Sequence, residues 1–308
     1  MNEEKVYSPI TNSLNTKKIG TVSVSQIIND YKKILPYINV NEYFKGLDDL
    51  DIYECCDTNY RFFYPLNIEG NEKYYSYLGS LPWYYSNWKW EHKIASDNIR
   101  KKDKVLEVGS GKGAFIINVE KKIGCKCVGL ELNPDIEEVC KNEKIDLRNE
   151  TIQYHAVNNI DVYDVVCSFQ VLEHISDVKK VIESMLICLK KGGLLIISVP
   201  NNDSFLKDNK SPSRVLNMPP HHVGLWNNKS LNSIANIFDL KIKSIGFEPL
   251  QESNLDTYIF TIFKKFFKYD FLLSFLWKIY FHKIIRIFIR RRMNTIIGHT
   301  IIAIYEKK

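Results

Sequence analysis

The chain predicts an α/β fold, an open and mainly parallel sheet with helices on both faces, and three observations carry that expectation. The apolar run Val105-Leu106-Glu107-Val108 breaks into Gly109-Ser110-Gly111-Lys112-Gly113 and restarts as a helix at Ala114. A second apolar run, Lys126–Leu130, delivers Glu131, 18 residues after Gly113. Two further runs, Tyr163–Phe169 and Leu194–Val199, follow, with Lys190-Lys191-Gly192-Gly193 turning into the second. Strand and helix therefore alternate, as parallel strands require, because each must be returned to its start by a crossover.

Each element has a chemical consequence. Glycines let the backbone turn sharply after a strand and bring its N–H groups, with a helix N-terminus behind them, against a polar ligand. A carboxylate at the end of the next strand can take both hydroxyls of a ribose. Together they bind a nucleoside. The loop reads G-x-G-x-G, not the G-x-G-x-x-G of a dinucleotide site, so the remaining motifs decide which nucleoside.

Those motifs resemble the class I S-adenosylmethionine-dependent methyltransferases, in particular the group with E-x-G-x-G-x-G, an acidic end to the second strand, D-V-V-x-x-x-x-x-L-E-H and L-K-x-G-G. The resemblance covers residues 100–250 and resumes at Gly298–Tyr305, which looks like the last strand. Phrases within Cys167–His174 and Asn217–Trp226 are similar to methyltransferases of bacterial and archaeal polysaccharide gene clusters. The resemblance implies a Rossmann-like seven-stranded sheet with its last strand antiparallel, and S-adenosylmethionine lying across the carboxyl ends of the first strands. It also implies roles. Gly109, Ser110, Gly111 and Gly113 pass under the methionine part and ribose, and Glu107 faces the amino end. Glu131 takes the ribose hydroxyls, Leu132 packs on the adenine, and Ser168, Phe169 and Gln170 give backbone groups near the methionine end. The third strand is expected at Thr151–Tyr154. Many relatives follow it with an aspartate for the adenine amino group, where this chain continues His155-Ala156-Val157-Asn158.

Residues 1–97 are expected to form an appended domain and 98–308 the methyltransferase domain, which carries a helical insertion at 255–294. In the first, Ile27, Ile28, Tyr31, Ile34 and Leu35 recur at helical spacing, and Asp51–Cys55 with Tyr60–Tyr64 read as a hairpin. The ring-rich stretch Trp83–His92 ends it. Trp83, Trp90 and Ile94 are expected to bury the seam between domains, and Tyr84 and Trp88 to cover the cofactor.

With 308 residues, 45% of them apolar, the chain can support a full core. Met1–Lys5 has no basic segment leading into an apolar one, so a cytoplasmic location is expected. The seven cysteines read as reduced thiols, and adjacent Cys55 and Cys56 lack paired C-x-x-C spacing, so no metal site is expected.

Methyl transfer to a neutral hydroxyl asks for a base. His222 and His221, in Met218–Trp226 after the fifth strand, are the first candidates, and His174 the next. Residues 257–293 hold nine Lys or Arg against one acid, Asp270, with seven of the cations on one helical face. Such a basic amphipathic segment suits the inner membrane face, or it packs on its own domain. Nucleic acid is not an expected partner, because the rest of the chain is slightly acidic. The expected activity is O-methylation of a sugar, glycan or lipid-linked carrier intermediate. The alternatives are a lipid-soluble phenol or quinone precursor as acceptor, or a non-catalytic cofactor-binding scaffold.

Overall fold

The computed structural model describes residues 5–133, 144–208, 212–266 and 281–308. In chain order its strands are β1 (Thr16–Ser23), β2 (Asp49–Cys55), β3 (Arg61–Tyr64), β4 (Lys104–Val108), β5 (Lys126–Leu130), β6 (Leu147–Arg148), β7 (Tyr163–Phe169), β8 (Leu189–Pro200), β9 (Gly224–Leu225), β10 (Leu240–Pro249) and β11 (Ile297–Lys307). Seven of them form one sheet of order β10-β11-β8-β7-β4-β5-β6. Neighbours from β8 through β6 pair in parallel, and β11 runs antiparallel between β10 and β8.

The central strands are apolar throughout because helices cover both faces. Leu106, Val166, Leu195 and Ile197 pack on Ile182 and Met185 of the helix Val178–Cys188. Their neighbours Val105, Val165, Cys167 and Ile196 point the other way, onto Phe115, Ile116 and Val119 of the helix Ala114–Ile123. Cys125, Cys127, Cys167 and Cys188 are buried free thiols; Cys140 lies outside the described residues.

A second sheet, β1-β2-β3-β9, lies over the first, and its last strand comes from residues far along the chain. Beneath it, Val6, Ile10, Tyr60 and Phe62 belong to the same apolar cluster as Val199, Trp226 and Ile301. The helix Val24–Ile34 buries Val24, Ile27 and Tyr31, and β2 and β3 form the expected antiparallel hairpin.

Three local expectations are corrected. The third strand is Leu147–Arg148, whereas Ile152–Val157 is helical. Thr151 caps that helix by accepting the Tyr154 N–H at 3.2 Å, and this local bond outcompetes an extended backbone. Helix in the ring-rich stretch begins only at Trp90, so Trp83 does not share a face with Trp90 and Ile94. Those two pack on the sheet, while Trp83 stands 55% exposed. Within the basic segment, residues 267–280, including Lys268 and Lys278, lie outside the described residues. The helices Leu255–Phe266 and Phe281–Arg290 flank that gap, and Leu255, Ile259 and Phe263 bury against Ile285 and Ile289. Among the described residues, no helix is long and apolar enough to cross a membrane.

Candidate functional site

A cleft of about 1770 Å³ runs along the carboxyl ends of β4, β5 and β7 and continues between the helix Glu72–Ser80 and the loop carrying His221 and His222. That volume exceeds the roughly 300–1,000 Å³ of a pocket for one small molecule, so a nucleoside and an acceptor can share it. One end is built by the glycine loop. Gly109, Gly111 and Gly113 all have positive φ, at 76°, 52° and 70°, a region that side-chain-bearing residues rarely adopt.

The three glycines do different work. A Cβ on Gly111 would stand 2.5 Å from the Tyr85 ring, and one on Gly109 would stand 2.3 Å from Val171. Both face the cleft. Gly113 faces away from it: its Cβ would strike Ile145 at 2.6 Å, and the residue caps the start of the helix Ala114–Ile123. That contact ties the start of the helix to the chain leading into β6.

Glu131 sits where the second strand ends. One carboxylate oxygen accepts the Gly111 N–H at 2.7 Å, and the other accepts the N–H groups of Leu132 and Asn133 at 2.9 and 3.0 Å. The acid is thereby held against the glycine loop. Leu132 beside it is 56% exposed, open to packing by a flat ring. After β6 the chain continues with Asn149, whose side-chain amide donates to the Glu131 carbonyl at 3.0 Å. Asn149, Glu150 and Thr151 therefore line the cleft beside Glu131. His155 does not: it is buried between Glu150 and the Tyr163 hydroxyl, at 2.7 and 2.8 Å.

Glu107 is buried, and its Oε2 has no hydrogen-bond partner. Burial pushes its carboxyl well above the usual range, which favours the protonated form. An orphan buried carboxyl beside a glycine loop fits the ammonium of a methionine-like ligand, which would supply the missing donor. Phe169 and Gln170 line the cleft, whereas the Ser168 side chain is buried away from it without a partner. Of the two expected covering rings, Trp88 stacks on Phe115 at 6.3 Å with Lys122 over its face. Tyr84 reaches toward the histidines, 6.0 Å from the His221 ring. The ring on the glycine loop is Tyr85, a residue that sequence reasoning passed over.

The other end gathers His174, His221 and His222, whose ring centroids lie 4.6–4.8 Å apart. Sequence places His174 in one motif and the pair in another, 47 residues on; the fold brings them together. His174 follows β7 in a short 3-10 turn, and its Nδ1 lies 2.5 Å from the His221 carbonyl. His222 Nδ1 lies 2.9 Å from the Asn217 amide oxygen, whose own NH2 is committed to Asn202. Trp226, buried against Tyr60 at 4.6 Å, anchors the far side of this loop. Its near side is pinned by Tyr31 to the Met218 carbonyl at 3.1 Å and by Tyr75 to the His221 carbonyl at 3.3 Å. The N-terminal layer thus builds half of the site.

Electrostatics at this end follow from burial. Desolvation lowers His174 to about 4 and holds His221 and His222 well below the ordinary imidazole value, so all three rings are neutral at pH 7. Glu173, 1% exposed and with neither carboxylate oxygen paired, is pushed up to about 8 by the same cause. Glu248, raised to about 7, and His299, lowered to about 4, line the cleft nearby. Glu173 carried no expected role because it sits inside a motif beside the more conspicuous His174. Glu248 and His299 have no local signal in the sequence, since they arrive from the last two strands.

Residues 85–245, more than half of the 308-residue chain, match a family model described as a methyltransferase domain. The chain is 33% identical over 106 residues to the ubiquinone biosynthesis O-methyltransferase of Vibrio vulnificus, covering 32% of this chain and 45% of that protein. It is 30% identical over 157 residues to the enzyme of the same name from Vibrio atlanticus, covering 48% and 63%. The chain therefore spans about half the length of these curated relatives. Among solved structures it is similar to a SAM dependent methyltransferase from Archaeoglobus fulgidus, with a TM-score of 0.48 and 14% identity over 70% of this chain and 94% of that one.

Proposed function

This chain belongs to the methyltransferase-domain family, and from that premise we propose that it transfers a methyl group from S-adenosylmethionine to an oxygen of a hydroxylated acceptor. One observation carries the reading: a single cleft has a nucleoside-binding loop at one end and a buried cluster of three histidines and a glutamate at the other. The loop N–H groups and Glu131 would hold the ribose side, and Glu107 the amino end. Bound S-adenosylmethionine supplies a methyl on a sulfonium that is already a good leaving group, so orientation contributes much of the rate. The protein's remaining tasks are to exclude water and to manage the proton of the acceptor hydroxyl. Tyr75, Tyr84 and Tyr85 wall the space between the two ends, and the histidine cluster, with His222 first, receives the hydroxyl.

The acceptor we favour is a sugar, glycan or lipid-linked carrier intermediate, whose hydroxyls suit a cleft with an aromatic wall and polar ends. The second reading is a lipid-soluble phenol, supported by the names of the Vibrio relatives. Both are compatible with peripheral attachment to the inner membrane face. Support for that comes from Ile287 and Phe288, 55% and 62% exposed beside Arg291 and Arg292.

Methyl transfer from labelled S-adenosylmethionine to lipid-linked oligosaccharides and to catechols distinguishes the acceptors. His222→Ala should lower the turnover number by about 10²–10⁴-fold with cofactor affinity near wild type. Unchanged turnover in that variant would remove the histidine end from the mechanism.

A further inference from the structure

We propose that His174, His221 and His222 form a binding site for one divalent transition-metal ion, whose open position takes the acceptor oxygen. The sequence offers no metal-ligand spacing; the site exists only in the fold. Each of the three histidines presents one ligand nitrogen, and these atoms lie within 4.8 Å of one another. A modest contraction brings such a set to the roughly 2.0–2.1 Å nitrogen distances of a bound zinc-class ion.

The outer hydrogen bonds are those that such a site needs. Histidine ligands characteristically give their second ring N–H to a carbonyl, which fixes the tautomer and aims the other nitrogen at the metal. His174 Nδ1 donates to the His221 carbonyl and His222 Nδ1 donates to the Asn217 side-chain oxygen, so Nε2 is the nitrogen each ring would turn to a cation; the Gln170 carbonyl also lies within reach of the His174 ring. His221 Nδ1 is buried with no partner, and so are both oxygens of Glu173, one of which lies 4.0 Å from His174 Nε2. Leaving a buried polar atom unpaired costs about 1–3 kcal/mol, so an unpaired ring nitrogen inside a cluster of three imidazoles calls for a ligand there. A cation fits it, since imidazole nitrogens are donors of transition-metal ions, and the buried Glu173 carboxyl, 4.0 Å from His174 Nε2, is a nearby source of compensating charge. Burial of the cluster beside the Tyr75 and Tyr84 rings limits competing water.

The inference rests on the methyltransferase reading for its role. A cation at this place lowers the pKa of a bound hydroxyl. The proton passes to water, the oxygen forms its bond to the methyl carbon, and the carbon–sulfur bonding pair stays on sulfur, yielding an ether and a neutral thioether. No oxidant or reductant takes part.

The test uses the full chain, stripped with chelator and desalted, then titrated with Co²⁺ by absorption and with Zn²⁺ by calorimetry. One ion per chain is expected, with Co²⁺ bands of nitrogen and oxygen coordination. Binding should be lost in His221→Ala, and weakened about 10–100-fold in Asn217→Ala, which removes only an outer hydrogen bond. Wild-type protein that shows no Co²⁺ absorption at one equivalent overturns the site whether or not the variants fold. Binding that survives in folded His174→Ala, His221→Ala and His222→Ala alike overturns it too. S-adenosylhomocysteine is titrated into the metal-free chain separately. Its failure to bind would sink the methyltransferase reading, while leaving the metal measurement to stand or fall by itself.

Discussion

Replacing Glu131 by alanine tests the cofactor end of the cleft most directly. Its two oxygens accept three backbone N–H groups, from Gly111, Leu132 and Asn133, at 2.7–3.0 Å. These donors sit at a half-buried surface where water can replace the lost acceptor, so the fold should lose little. The ligand loses more. Two ribose hydroxyls meeting a carboxylate make charge-assisted bonds of about 1.5–3 kcal/mol each. Because part of that value is recovered by water, we take the net effect as that of a single bond, about ten- to a hundredfold in affinity. Calorimetric titration with S-adenosylhomocysteine measures it, with thermal melting as the check on folding. An affinity within twofold of wild type in a folded variant would refute the assignment of Glu131 to the ribose.

Three further outcomes are expected. Burial raises the Glu107 carboxyl and an adjacent ammonium favours its ionised form, so S-adenosylhomocysteine affinity should rise with pH through the range where Glu107 titrates, and binding to the protonated form should release a proton. Glu107→Gln should bind at least tenfold more weakly with a flat pH dependence, and calorimetry in two buffers of different ionisation enthalpy reads both. Burial among Phe115 and Phe169 lowers His92 to about 3, so its contribution to stability is full above its unfolded value of 6.5 and is lost as pH falls toward 3. Its share between pH 7 and pH 5 is about 2 kcal/mol, and denaturant titrations should show that much less pH dependence in His92→Gln. Flotation on anionic vesicles at low salt should retain the wild-type chain, and Arg291→Gln with Arg292→Gln should weaken it by about 1 kcal/mol per cation. A wild-type chain that stays in solution would end the membrane reading. Arg286 and Arg290 are poorer targets for that experiment, because they are tied to Glu252 and Asp256 within the chain.

The parts legible in the sequence are those whose chemistry is local. A glycine loop must follow a strand and open a helix, so Gly109, Gly111 and the carboxylate of Glu131 announce themselves in order. Hydrophobic runs buried on both faces likewise mark β4, β5, β7 and β8, although β8 begins at Leu189 and takes in the Lys190–Gly193 stretch expected as a turn. The third strand was misplaced because two residues, Leu147 and Arg148, carry too little pattern, while Ile152–Val157 offers an apolar run that Thr151 turns into a helix. Trp83 to His92 misled for the opposite reason: rings at helical spacing say nothing where the backbone is not helical, and only Trp90 onward is. Glu248 and His299 reach the cleft through the pairing of β10 with β11, a contact between strands more than forty residues apart that no local signal carries.

The appended N-terminal layer is better understood as a wall of the site than as a passenger. The loop carrying His221 and His222 leaves the main sheet after β8 and has no regular ladder of its own until β9. It is held from the other side. Tyr31 and Tyr75 bond its carbonyls, the Gly70 N–H donates to the Pro220 carbonyl at 2.8 Å, and Arg214 pairs with Asp30. β9, the end of the same loop, is a strand only because β3 pairs with it. Gly224 there has no room for a side chain, since a Cβ would fall 2.0 Å from the Tyr60 hydroxyl. Substitutions that loosen this layer, such as Tyr75→Phe or Asp30→Asn, should therefore disturb the histidine end while cofactor affinity at the glycine loop stays near wild type. A fall in cofactor affinity equal to the fall in turnover would show instead that the two ends of the cleft are built as one unit.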